Sequence, residues 1–551
     1  MDEELTRRAA LQRAAVLGAA SLSIPGVAGA QARRQTPSAR IAELTVGVVS
    51  GETAPLPAPR RFALVGVQWD KAAAGEHPRI ELRTRERAGP WSRWGLASVS
   101  GHEPDGGGSG AVAFGEAVWS GSADLVQLRS DRPLRGVRVH FVSAASTPMA
   151  GAASAFPLAA PVLDAGGGQP PIIARQAWAH HRAPPAVRPG YGTVRLAFVH
   201  HTENLNGYGP AAVPAMLLAI FDFHRYVRGW NDIGYNFLID AFGRIWEGRQ
   251  GGIDEAVVGA QAGGYNEVST GVAMLGSFVS VLPQPRSLSA LEHLLAWKLS
   301  LHGVPSRGRV RVRVNPAAAF YTPFAPGARV SLPRIAGHRD GDSTDCPGDA
   351  LYRVLPSIRN RVSRLIGPVA QVSLRGSVRP VAVAGAVGVG GRLQLGAGVA
   401  TAGAPIEIQQ LGAGGVRTIA TALTSSTGAW AASVPLLHSS RLRALHRSRP
   451  AAVSALVDVQ VGPAVTLTLV PGSPARIAGS ILPAKHRVTI EVYRSAGSAQ
   501  QLVTRLHPSV RAGRFLAELP LRSPGRYTVR ARTVADGANA AGASRPLLLT
   551  V

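Results

Sequence analysis

One cysteine, Cys346, serves a chain of 551 residues, so no disulfide can form within it. Lysine is almost as scarce. Lys71, Lys298 and Lys485 are the lysines, so nearly all of the 59 basic residues are arginine. Charged residues make up only 17% of the chain and aromatic residues 6%. No segment past the N-terminus keeps 18 or more apolar residues in a row, which excludes an ordinary membrane-spanning helix there. The arginines also lack the arrangement of a nucleic-acid binder. They are spread along the whole sequence, with no RGG tract, basic helix or known module signature, so no nucleic acid partner is expected.

What is present is a net charge of +26 with 63 glycines and 41 prolines. The charge fits either a plain arginine bias or attraction to an acidic surface such as a cell envelope. Abundant Gly and Pro suit β-rich modules, and the length allows three or four domains. The first 30 residues read as an export signal of twin-arginine type. Arg7-Arg8 precede an apolar stretch from Ala14 to Ile24, Pro25 ends it, and Ala28-Gly29-Ala30 offers a cleavage site. A secreted, monomeric protein is the expectation.

From 43 to 155 apolar and polar residues alternate, as in Arg79-Ile80-Glu81-Leu82-Arg83 and Arg135-Gly136-Val137-Arg138-Val139-His140-Phe141. That period predicts a β-sandwich-like domain with Trp69, Trp91, Trp94 and Trp119 in its core and a glycine loop at 105–110. A Pro/Gly/Ala-rich linker is expected over 156–171. From 172 to 366 the pattern becomes α/β, a mixed sheet flanked by helices. Leu196 to His200 reads as a buried strand and Val213 to Val227 as a helix. Ser289-Ala290-Leu291-Glu292 reads as a capping box opening a second helix, and Asp349 to Ile366 as a third. Beyond lies a repeat. Gly428-Ala429-Trp430 with Val434-Pro435-Leu436 matches Gly513-Arg514-Phe515 with Leu519-Pro520-Leu521 at the same spacing. Two Ig-like modules, 371–465 and 466–551, account for it.

Chemistry concentrates in three segments of the α/β region: Val199-His200-His201-Thr202, Asp232-Ile233-Gly234-Tyr235-Asn236-Phe237, and Gly337-His338-Arg339-Asp340 leading to Thr344-Asp345-Cys346-Pro347-Gly348. Two imidazoles and a thiolate form a three-ligand zinc set that leaves a position open for water. Fifteen histidines are available, however, and most buried histidines only satisfy a hydrogen bond.

The ordered motifs decide between these. Together with Ile173-Ala174-Arg175-Gln176-Ala177-Trp178, Trp246-Glu247-Gly248-Arg249 and Gly259-Ala260-Gln261-Ala262-Gly263-Gly264-Tyr265-Asn266, they make this region resemble the peptidoglycan recognition protein and type-2 (phage-type) N-acetylmuramoyl-L-alanine amidase family. The resemblance implies Zn2+ held by His200, His338 and Cys346. It implies Tyr235 as a residue that orients water or stabilises the tetrahedral intermediate, and Thr344 as a second polar group. Peptidoglycan is the implied substrate, with His201, His224, Arg249 and Asn266 as candidate contacts and anionic wall polymers as further partners. The implied activity is hydrolysis of the amide between N-acetylmuramic acid and L-alanine; the alternative is a wall-binding protein without catalysis. The family's Gly-Ala-His motif reads Gly259-Ala260-Gln261 here, which puts a groove contact at that position in doubt. Glu203, next to the first motif, reads as a solvated neighbour.

Overall fold

The computed structural model describes residues 40–551 apart from 72–77, 98, 100–111, 144–155, 164, 368, 377–380, 383–386, 397–398, 413–414, 473 and 497–498. The export signal and the glycine loop at 105–110 lie outside the described residues. Among those described, no helix is long and apolar enough to cross a membrane.

The alternating N-terminal region forms β1 (Ile41–Glu52), β2 (Leu56–Asp70), β3 (Ile80–Arg85), β4 (Gly95–Leu96), β5 (Val112–Phe114) and β6 (Val118–Val142). Hydrogen bonds link all six into one continuous sheet. β6 is long enough to meet β2 near both of its ends, at Trp119 and at Val142, so the sheet wraps around a single core. Of the four expected tryptophans only Trp69 packs in that region's own core, and Trp119 is buried in a cluster shared with the central domain. Trp91 and Trp94 are half-buried beneath guanidinium groups, with Arg129 4.4 Å and Arg83 4.6 Å from the Trp94 ring. An arginine plane covers an indole face as well as an apolar side chain does, so period alone could not separate the two fates.

The central domain contains β7 (Ile172–Ile173), β8 (Leu196–His201), β9 (Phe237–Ile239), β10 (Ile245–Glu247), β11 (Ser269–Met274), a β12–β13 hairpin (Arg309–Arg313 and Arg329–Pro333) and β14 (Ile335–Gly337). Its sheet runs β14-β8-β11-β9-β10-β7. β14, β8, β11 and β9 are parallel, and β8 is buried at every residue, as a central parallel strand must be. Helices Pro285–Leu301 and Asp349–Ile366 pack on one face through Leu291, Leu294, Leu351, Leu355 and Ile358. Helix Val213–Asp222 covers the other and widens into a π-helical turn over Phe223–Val227.

Two expectations give way here. The capping box does not open a helix, because Pro285 starts it four residues earlier, where its missing N–H is no loss. Glu292 instead pairs with Arg361 of the last helix at 2.5 Å. The segment 156–171 is not a free linker. Leu163 and Ala165 enter the central core, Trp297 Nε1 donates to the Leu163 carbonyl at 2.8 Å, and Phe156 packs on Trp246 at 5.0 Å. A few apolar side chains suffice to dock a stretch whose composition reads as loop.

The C-terminal region consists of two β modules, and the repeat in sequence is a repeat in structure. Strand Ala429–Val434 pairs with Val387–Leu395 just as Arg514–Glu518 pairs with Arg476–Leu482. Trp430 and Phe515 are buried at equivalent places. The preceding Gly428 and Gly513 both adopt φ 73°, which a Cβ would strain. The first module is welded to the central domain. Leu445, Ala451 and Val453 join the central core, and buried Arg443 reaches Asp254 at 2.9 Å and Glu255 at 2.5 Å. Burial still pushes Glu255 up to about 7 against the pull of Arg443. Replacing Arg443→Met strands these carboxylates. We expect a loss of about 3 kcal/mol in urea unfolding, most of it regained when Asp254→Asn and Glu255→Gln are added.

Candidate metal centre

β8 and β14 lie side by side in parallel, with Val199 opposite Gly337. The next residue on each strand is a histidine, so His200 and His338 emerge together at the carboxyl edge of the sheet, with ring centroids 4.5 Å apart. The chain then makes a tight turn at His338–Asp340 and returns to bring in Cys346. The Arg339 N–H donates to the Cys346 carbonyl at 3.0 Å, and the His201 N–H donates to Cys346 Sγ at 3.4 Å. The donor atoms of His200, His338 and Cys346 all lie within 4.8 Å of one another.

These residues fit a zinc ion, and the hydrogen bonds around them say so. Ser269 Oγ donates to the Tyr265 carbonyl at 2.9 Å, so it accepts from Gln261 Nε2 at 2.8 Å. That orients Gln261 Oε1 toward His200 Nε2, 2.6 Å away. An amide oxygen only accepts, so His200 carries its proton on Nε2 and turns the Nδ1 lone pair inward, 3.7 Å from Cys346 Sγ. His338 is held the same way, with Nε2 3.1 Å from Asp342 Oδ2 and Nδ1 facing the donor set. Outer acceptors that fix the tautomer of a ligating imidazole are the usual support of a metal site. Burial raises the Cys346 thiol well above its ordinary value, so only a cation would hold a thiolate in this place.

Tyr235 and Thr344 flank the set. The Tyr235 ring lies 5.3 Å from that of His200, and complete burial pushes its hydroxyl well up, keeping it protonated. Thr344 Oγ1 accepts from the Cys346 N–H at 3.3 Å and donates to the carbonyl of Val99, in the N-terminal domain, at 3.3 Å.

The candidate contact residues fare differently. His201 Nδ1 accepts from the Phe278 N–H at 3.3 Å, and its Nε2 faces Glu203 Oε1 at 3.2 Å, so this histidine braces the strand end. Glu203 is fully buried rather than solvated, at φ 53°. His224 accepts from the Gly234 N–H at 3.2 Å and stacks on Trp230 at 4.3 Å, beside Tyr235. Arg249 donates to the Ile233 carbonyl, and Asn266 Oδ1 accepts from the N–H groups of Gln261 and Ala262. Both shape the loops behind the site. Gln261 is no groove residue; it is fully buried behind His200. The sequence reading missed Gln261 and Asp342 as supports. A carboxylate four residues past His338 is a readable signal, but the Gln261–His200 contact spans 61 residues. Gln261→Leu and Asp342→Asn should each weaken zinc binding by about 10–100-fold in competition with a chromophoric chelator.

A mixed sheet that brings two histidines and a cysteine together at its carboxyl edge defines a domain with a candidate metal site. Residues 190–349 match the family described as N-acetylmuramoyl-L-alanine amidase. Residues 25–157 match one described as Rv3811 N-terminal galactose-binding domain-like. Peptidoglycan-recognition protein LB of Drosophila melanogaster is 30% identical over 192 residues, 34% of this chain and 68% of that protein. Peptidoglycan recognition protein 1 of Mus musculus is 29% identical over 186 residues, 34% and 86%. Among solved structures, peptidoglycan recognition protein LE in complex with tracheal cytotoxin aligns at 28% identity and TM-score 0.27, over 34% of this chain and 92% of that one. The endolysin amidase LysCS of Clostridium intestinale aligns at 21% and 0.25, over 36% and 98%. The chain belongs to the family of peptidoglycan recognition proteins and type-2 N-acetylmuramoyl-L-alanine amidases.

Proposed function

We propose that this protein is a secreted zinc hydrolase that cleaves the amide between N-acetylmuramic acid and the L-alanine of peptidoglycan stem peptides. One observation carries the reading: a buried His200–His338–Cys346 set whose two imidazoles are each turned inward by an outer acceptor. Recognition of peptidoglycan alone would need neither the thiol nor the fixed tautomers.

A zinc ion in such a set supplies a water acidified to near neutrality and a Lewis acid for the carbonyl. The chain's own residues do the rest. His200 and His338 hold their ligand nitrogens in place because Gln261 and Asp342 fix the opposite edges of the rings. The Tyr235 hydroxyl, protonated through burial, is the donor for the oxygen on which charge develops. Thr344 offers a second, uncharged donor once its bond to Val99 is exchanged for one to substrate. We further propose that the protein acts as a monomer at the cell wall, with two Ig-like C-terminal modules whose arginines favour anionic polymer.

Cys346→Ser should lose both bound zinc and the release of alanine amine from purified peptidoglycan; full activity in that variant would sink the proposal. Tyr235→Phe should keep its zinc, since the hydroxyl is no ligand, while kcat falls by about 10²-fold. An unchanged kcat would remove Tyr235 from the chemistry.

A further inference from the structure

The metal set is closed to solvent. His200 and His338 are 0% exposed, and Cys346 and Tyr235 are 1% exposed. No amide of a polymer could reach it in this arrangement, and the N-terminal domain takes part in the closure. Its residues from β5 to the start of β6 lie across the region. Ala117 and Trp119 share one apolar cluster with Phe223, Ile233 and Tyr235. Phe114 meets Phe223 edge-on at 6.5 Å and lies under the Arg228 guanidinium at 4.6 Å. The main chain is engaged too: Trp119 N–H donates to Asn204 Oδ1 at 3.0 Å, and Leu205 N–H donates to the Trp119 carbonyl at 3.3 Å. Both partners lie on the segment that follows His200 and His201. On the far side Val99 accepts from Thr344, two residues before Cys346. Arg40 and Asp222 pair at 3.1 Å where the domains meet.

The fit is close. Gly66 of β2 rests so near the Phe223 ring that a Cβ there would come within 2.2 Å of it. Between the two domains runs a cleft of about 840 Å3, walled by Arg79, Arg93 and Trp94 on one side and Asn206, Tyr208 and Ser277 on the other. It reaches inward to Glu203, which stands next to His201, and none of the three metal ligands lines it.

We propose that the N-terminal domain is a lid that keeps the metal site latent, and that peptidoglycan entering along the interdomain cleft gains the site only when the lid lifts. Beside its apolar contacts the lid is held by hydrogen bonds at Asn204 and Thr344 and by the Arg40–Asp222 pair, polar links that water can replace when domains move apart. The inference rests on the amidase reading for its substrate and on geometry alone for the closure. Opening frees the Thr344 hydroxyl from Val99 and uncovers Tyr235 and Cys346 in one movement.

Two substitutions on the lid, neither at a metal-set residue nor at Tyr235 or Thr344, test this in the full-length protein. Gly66→Ala drives a wedge against Phe223, and Phe114→Ala removes a packing ring; the second keeps the test alive if the first fails to fold. One readout is the rate at which iodoacetamide alkylates Cys346, the sole cysteine, in zinc-free protein. The other is alanine amine released from soluble muropeptide by the zinc-loaded form. The parent should alkylate far more slowly than urea-unfolded protein, and either variant should raise both rates by about tenfold or more, the effect of moving a closed–open equilibrium by about 1.4 kcal/mol. A parent thiol that reacts as fast as the unfolded one overturns the lid. Where the parent does release amine, so does a variant whose alkylation rises while its hydrolysis in the zinc-bound form stays level or falls. Faster alkylation with no amine released by parent or variant supports the closure and rejects the amidase reading instead.

Discussion

The parallel pairing of β8 with β14 is the constraint on which the site depends. Parallel strands in adjacent register end at the same edge of a sheet, so the residues that follow Val199 and Gly337 are delivered side by side although they are 138 positions apart. A buried central strand supplies the rigidity. Its own residues are apolar up to His200 and are packed by helices on both faces, so the imidazole is held by the sheet rather than by a loop. The returning turn at His338–Asp340 then needs only a few residues to place the thiol.

Around that edge the protein places its polar groups so that each has one task. Gln261 and Asp342 fix ring orientation, His201 and Glu203 brace the strand end, and Asn266 ties the loop that carries Gln261. Such a buried network is costly unless every member is satisfied, and this is why a single glutamine can depend on a serine that itself depends on a carbonyl. The same economy appears at the domain boundaries. Arg443 joins the first C-terminal module to the centre through two carboxylates, and Arg40 meets Asp222 at the N-terminal boundary. The N-terminal domain and the first C-terminal module are therefore parts of the central domain's surroundings, not beads on a flexible string.

Much of this was legible in the sequence, for reasons that can be named. Period two marked the N-terminal strands because one side of a strand meets the core and the other meets water. The last helix, Asp349–Ile366, matched its expected limits because Gly348 and Gly367 bracket a 3.6-residue stripe. The repeat at Trp430 and Phe515 was visible because the same turn needs the same glycine. That His200, His338 and Cys346 come together could be expected because each stands in a motif of the resembled family. Other expectations were lost where local pattern met long-range contact. Ser289–Glu292 looks like a cap, yet Glu292 serves a partner 69 residues away. Composition marked 156–171 as linker, yet Leu163 is core.

By itself, then, the sequence determined which residue types could bind a metal, where strands and helices would form, and that the chain carries a β-rich envelope around an α/β centre. Those follow from local periodicity, turn chemistry and motif. The tertiary structure alone decided which nitrogen of each histidine meets an outer acceptor, because that depends on Gln261 and Asp342 standing behind the rings. It alone decided that Glu203 is buried and that Trp94 lies under arginine. And it alone placed Val99 on Thr344, because a hydrogen bond across 245 residues is set by how two finished surfaces fit, which no window of sequence contains.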